Sequence, residues 1–144
     1  MKNIKIILLF IFLAGILSTC KKYPEGPLIS LRTKVQRLTG TWKVEKYLID
    51  GADSTAIKYP VECSYRITNK EHTTQIFDRC GSSQSQSEWD FNENRTSLIF
   101  KSSGSPLFLT KPIEWKIMKL KFKEMHLQTE YNSKQYDAYL TKIK

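Results

Sequence analysis

Period-two alternation over short segments is the feature that most limits how this chain can fold. From Thr41 onward Trp42, Val44 and Leu48 alternate with polar neighbours, with Lys46 the exception. Cys63, Tyr65 and Ile67 share a face within Val61 to Thr68, and Thr73 to Cys80 is a further run. Trp89 and Phe91 align, then Leu98 and Phe100, then Ile113, Trp115 and Ile117. Met125, Leu127, Thr129 and Tyr131 follow, and Tyr136, Ala138 and Leu140 close the series, with Tyr139 and Ile143 on its other face. Alternation puts successive side chains on opposite faces of a strand. Turn residues separate these segments, among them Asp50-Gly51, Asn92-Glu93-Asn94 and Asn132-Ser133-Lys134. The pattern predicts roughly eight short strands and almost no helix beyond a turn over Leu31, Val35 and Leu38. Short connections force antiparallel neighbours. A meander has two exposed edges, and closing it into a barrel removes both. The fold expectation is all-β: an antiparallel up-and-down β-barrel of roughly eight strands, preceded by a short helical turn. A sandwich is the competing architecture.

The N-terminus is a different kind of segment. Lys2 and Lys5 flank the start of an apolar run from Ile6 to Leu17, broken only by Gly15 and followed by Ser18-Thr19-Cys20. A positive start, an apolar stretch shorter than the about 20 residues of a membrane span, and small residues at its end make an export signal. The residues around Cys20 resemble the lipobox of bacterial lipoproteins. That resemblance implies that Cys20 is acylated, with palmitate-type chains, and becomes the first mature residue. Thr19 departs from it, since Gly, Ala or Ser is usual there. An ordinary secretory signal with a bystander cysteine is the alternative. The chain then divides into a signal peptide over 1–19, a lipidated cysteine and tether over 20–37 carrying Pro24, Gly26 and Pro27, and a barrel domain over 38–144.

The formal net charge is +9, and losing Lys2 and Lys5 with the leader lowers it to near +7. Such a charge favours anionic partners: lipid headgroups, acidic glycans or nucleic acid. Nucleic acid is excluded by export and by the scatter of the basic residues, as in Lys119-Leu120-Lys121-Phe122-Lys123, which reads as a strand with one wet face. The alternatives for these lysines are a solvated face or a functional basic surface. If Cys20 carries lipid, Cys63 and Cys80 remain, and an oxidising compartment allows them to pair. Two free thiols are the other outcome.

Leu38-Thr39-Gly40-Thr41-Trp42-Lys43-Val44 resembles the start of a lipocalin, where Gly-x-Trp opens the first strand after a helical turn. With Cys20-Lys21-Lys22-Tyr23-Pro24 and the late Trp115-Lys116-Ile117, the layout is similar to the small lipocalin-like lipoproteins of Bacteroidota. The resemblance implies that Gly40 and Trp42 close one end of the barrel, with the indole as plug. Typical lipocalins also carry a Thr-Asp-Tyr-like loop and an Arg near the end that packs over the opening Trp. Here there is no Thr-Asp-Tyr, no Arg follows Arg95, and the C-terminus offers Lys142 and Lys144. A shared fold does not transfer ligand chemistry.

Catalytic signatures are missing from the sequence. His72 lies in a polar stretch, and His126 falls on the face opposite Met125 and Leu127, so both read as exposed residues. Glu88 and Asp90 read as the wet face behind Trp89 and Phe91. No metal-ligand spacing, nucleophile elbow or phosphate loop occurs, so the expectation is no enzyme, no metal and no cofactor. Two functions compete. One is a membrane-anchored module binding a small apolar or amphipathic ligand in the barrel, with Lys46, Tyr65, Trp89, Phe91 and Trp115 lining the site. By parity Lys46 points inward and would suit an anionic headgroup, unless a bulge or the rim turns it out. The other is a non-enzymatic structural or interaction lipoprotein with a filled barrel and an envelope protein partner. A pocket of about 300 Å³ or more, open at one end, separates the first from the second. Lys21-Lys22 after Cys20 lean toward an outer-membrane anchor with the body facing the periplasm.

Overall fold

The computed structural model describes residues 23–25, 31–59, 63–69, 73–77, 86–101 and 113–143, and for 73–77 and 86 the backbone only. Cys20, His72 and Cys80 lie outside the described residues.

A short helix, α1 (Lys34–Leu38), precedes the strands. Thr33 caps it by accepting from the Gln36 backbone N–H, while the Gln36 side chain accepts from the Thr33 N–H. This reciprocal box satisfies two otherwise orphaned donors. Gly40 then takes φ 138°, a backbone state that side-chain-bearing residues rarely adopt, and swings the chain into β1 (Gly40–Ile49). Asp50 and Gly51, with φ 51° and 80°, form a two-residue hairpin to β2 (Ala52–Asp53). Positive φ at both positions matches the twist of the flanking strands. A second helical turn, α2 (Thr55–Lys58), was not foreseen from the sequence. It is held locally, where Asp53 Oδ1 accepts from the Thr55 backbone and hydroxyl at 2.9 and 2.6 Å.

The remaining strands are β3 (Ser64–Ile67), β4 (Thr73–Phe77), β5 (Gln86–Phe91), β6 (Ser97–Phe100), β7 (Ile113–Leu120), β8 (Glu124–Tyr131) and β9 (Lys134–Lys142). From β3 to β9 each strand pairs antiparallel with the next. β1 pairs with β3 on one side and with β9 on the other, from Trp42↔Lys142 to Ile49↔Tyr136. Eight strands therefore form a closed antiparallel ring, and β2 is a spur on β1. The second hairpin expected at Asn132 forms with φ 50° and 57° at Asn132 and Ser133.

Two irregularities reset the side-chain parity. Between Val44 and Lys46 β1 carries one residue more than β9, so Trp42, Val44, Tyr47 and Ile49 face inward while Lys46 is exposed. A similar shift between Ile117 and Lys119 in β7 keeps Ile117 and Leu120 both buried. The run Lys119 to Lys123, read above as a continuous strand, instead ends β7 at Leu120 and turns over residues 121–123, with Lys121 N donating to Glu124 O at 2.8 Å.

One end of the ring is plugged. The Trp42 indole is fully buried and its Nε1 donates to Leu38 O at 2.7 Å, tying α1 to the first strand. Arg37 Nη1 donates to Leu120 O at 2.7 Å across the same end. Burying an indole of this kind stabilises by roughly 5 kcal/mol before entropy is counted. The expected loose tether is partly structured. Tyr23 is buried and its hydroxyl donates to Arg95 O at 3.1 Å, and Glu25 N donates to Met118 O at 2.9 Å. The folded body thus begins ahead of residue 38, because Tyr23 finds apolar cover against the barrel.

Candidate functional site

Side chains of the described residues pack inside the barrel. Trp42, Trp89 and Trp115 are each at most 1% exposed. They belong to one buried cluster that also takes in Tyr47, Tyr59, Tyr65, Leu98, Phe100, Ile117, Leu127 and Ala138. Trp89 Nε1 donates to Thr68 O at 2.9 Å, and its ring meets Phe91 edge-on at 5.5 Å. Phe91 is half-buried against the cluster. At the end opposite the plug, Tyr47 packs edge-on against Tyr59 at 5.4 Å and lies 6.2 Å from Tyr136. Tyr59 and Tyr65 are both buried in the same cluster. Burial pushes the hydroxyls of Tyr47, Tyr59 and Tyr65 well above their ordinary value, so all three stay neutral phenols.

Of the residues expected to line a ligand site, Tyr65, Trp89, Trp115 and Phe91 do meet inside the barrel. Lys46 does not. The bulge in β1 turns it outward, which spares the cost of burying an ammonium group. Trp115 Nε1 is buried and has no acceptor among the described residues. Cys63 is buried just before β3, and its expected partner Cys80 lies outside the described residues.

A polar cluster on the outer wall escaped the sequence reading. His126 does lie on the face opposite Met125 and Leu127, yet it is only 4% exposed. Its Nε2 is 2.8 Å from Asp137 Oδ1 and its Nδ1 is 3.4 Å from Glu25 Oε1. Tyr139 stacks on the ring at 4.1 Å. Asp137 also accepts from Gln128 at 3.0 Å and from Gln135 at 2.8 Å. Burial alone would raise this carboxyl, but the bonds from Gln135, His126 and Gln128 outweigh it and hold it below the ordinary range. Both ring nitrogens of His126 face carboxylates, and the N-terminal segment beside it is held by Glu25 N donating to Met118 O and Tyr23 Oη donating to Arg95 O. The signal was non-local: Asp137 comes from the neighbouring strand, where His126 pairs with Tyr139 and Gln128 with Asp137.

Beside this cluster lies an open depression of about 580 Å³, with Asn92, Glu114, Lys116, Gln128, Glu130 and Gln135 among its walls. The β7–β8 ladder begins at Lys116↔Gln128, and nearer the barrel mouth Thr129 Oγ1 donates to Glu114 O at 2.8 Å. Asn92 organises the neighbouring turn, its Oδ1 accepting from Thr96 N and Ser97 N at 2.8 and 3.0 Å. Its Nδ2 reaches Glu114 at 3.1 Å. The depression therefore offers amides, carboxylates and one ammonium group, suited to hydrogen bonding with a polar partner. Glu88 is exposed, as expected, and Asp90 is half-buried and pairs with Lys101 at 3.5 Å. Among the described residues no group of three or more His, Cys, Asp or Glu gathers as metal ligands.

No family model matches the chain, and no curated protein matches it. Among solved structures it is similar to a lipocalin-like protein from Bacteroides uniformis, at 10% identity and a TM-score of 0.48, covering 74% of this chain and 99% of that one.

Proposed function

We propose that this chain is a non-enzymatic lipoprotein of the cell envelope, anchored through Cys20, whose barrel is a solid scaffold and whose outer surface meets its partner. The filled interior carries this reading: three buried Trp residues and the tyrosines near the mouth take the space that a ligand-binding barrel leaves for its cargo. The depression walled by Glu114, Lys116, Gln128 and Glu130 is the contact area proposed for a polar partner. The leader and Cys20 support export and acylation, and Lys21-Lys22 support the periplasmic side of the outer membrane. Protease treatment of intact cells checks the location, and rapid loss of the folded body overturns the periplasmic assignment.

Native mass spectrometry of the purified protein tests the scaffold reading. The expected mass is that of the acylated chain alone, with no saturable response to a fatty-acid panel. A stoichiometric apolar molecule carried through purification overturns it. That result would favour the second reading, a barrel that binds an amphipathic ligand, which has one specific observation behind it. The Trp115 indole N–H is a buried donor without an acceptor among the described residues. On that reading Trp115→Phe removes the binding.

A further inference from the structure

We infer that the plugged end of the barrel is a docking face for an anionic phospholipid surface, so that the body stands on the membrane with its mouth turned away. This deepens the envelope-lipoprotein reading by assigning an orientation. Topology brings the start of β1, the end of β9 and the turns β5–β6 and β7–β8 to one end. Among the described residues, three of the four exposed large apolar side chains gather there: Leu31 just before α1, Phe122 in the β7–β8 turn and Ile143 after β9. The fourth, Ile57 in α2, is at the mouth.

Cations surround those three. The Arg32 guanidinium lies 3.9 Å from the Phe122 ring centroid and the Lys142 ammonium 4.8 Å from it. Lys34 Nζ donates to Arg95 O at 2.9 Å, placing both residues at the same end, and Lys121 and Lys123 flank Phe122. Among the described residues the acids nearby are Glu25, Glu93 and Glu124, and Glu124 is paired with Lys119 at 3.3 Å and Lys121 at 3.8 Å. At the mouth, by contrast, among the described residues Asp50, Asp53 and Glu130 offset Lys58, Lys101 and Lys134. Apolar tips ringed by Lys and Arg suit the headgroup boundary, where the tips enter and the cations meet phosphate.

The chain's own connectivity identifies the occupant. Tyr23 is buried at this end, bonded to Arg95 O, with the Lys34 ammonium 5.2 Å from its ring centroid. Cys20 stands three residues earlier, and three extended residues span about 10 Å. An acyl group on Cys20 therefore brings a bilayer within about 10 Å of this end of the barrel.

The test uses the full chain, purified from bacterial membranes and reconstituted into vesicles of phosphatidylethanolamine with phosphatidylglycerol bearing brominated acyl chains. Two reporters are compared, Phe122→Trp at the plugged end and Ile57→Trp at the mouth. Bromine should quench the added emission of F122W and spare that of I57W. Moving the brominated chains onto phosphatidylcholine, with no anionic lipid, should cut the F122W quenching severalfold. Equal quenching at both ends, greater quenching of I57W, or no dependence on anionic lipid overturns the proposal. If intact mass shows no acyl group on Cys20, the anchor reading has failed separately, and flotation of the chain with preformed anionic vesicles becomes the readout. Flotation weakened about tenfold or more by Lys121→Glu with Lys123→Glu then supports the face, and absence of flotation refutes it.

Discussion

The ammonium of Lys142 sits 4.8 Å from the centroid of the Trp42 ring and donates to Arg37 O at 2.6 Å and Thr39 O at 2.7 Å. One side chain from the last strand thus covers the indole of the first and binds carbonyls at the end of α1. The lipocalin resemblance gives this covering position to an arginine, and here a lysine fills it. Desolvation, reinforced by nearby Arg32, lowers the Lys142 pKa below its usual value.

Replacing Lys142 should loosen the whole plugged end. Lys142→Met keeps the aliphatic stem but loses the cation–π contact and two charge-assisted bonds, a cost of about 2 kcal/mol. Lys142→Arg should recover most of it. Urea unfolding midpoints of the two variants check this, and equal loss in both would remove the ammonium from the account.

The two most buried indoles should respond differently to the same substitution. Trp42→Phe opens a cavity and strands Leu38 O, whereas Trp115→Phe opens a cavity but breaks no hydrogen bond among the described residues. The first should therefore be the more destabilising by about 1 kcal/mol or more. Chemical denaturation of both variants side by side measures the difference.

Asp137 links stability to acid. Its folded carboxyl is held below the ordinary value of 3.8, so the unfolded chain binds that proton more tightly. Its contribution is complete above the unfolded-state value and disappears as pH falls through the lower folded value. Asp137→Asn should be less stable at neutral pH and should show a shallower loss of stability below about pH 4. Thermal midpoints across that range decide it, and parallel curves for both proteins would exclude the linkage.

Cys63 and Cys80 should be joined in the full chain purified from bacterial membranes. Ser64 pairs with Phe77, so Cys63 lies beside the strand that leads to Cys80 three residues on. Intact mass after alkylation without reductant should show no label on either thiol. Reduction should then lower stability by roughly 3 kcal/mol. Labelling of both cysteines before reduction would rule the bond out.

Most strand faces, the turns at Asp50-Gly51 and Asn132-Ser133, and the helical turn before Gly40 were readable along the chain, but in β1 the expected inward Leu48 gives way to Tyr47 beyond the bulge. Alternation, left-handed turn residues and capping arise from neighbours in sequence, where backbone sterics act. The plug role of Trp42 was implied by the resemblance of Gly40-Thr41-Trp42 to a lipocalin start, and its indole is buried with Nε1 on Leu38 O. What Lys46 and His126 do was decided only in three dimensions. One extra residue in β1 reversed the parity that had aimed Lys46 inward, and such a residue shows only against the register of β9. His126 kept its predicted face but lost its predicted exposure, because Asp137, Tyr139 and Glu25 reach it from β9 and the N-terminal segment. Whether the barrel is hollow or filled is likewise a matter of summed side-chain volumes around a closed ring, a quantity that no single strand carries.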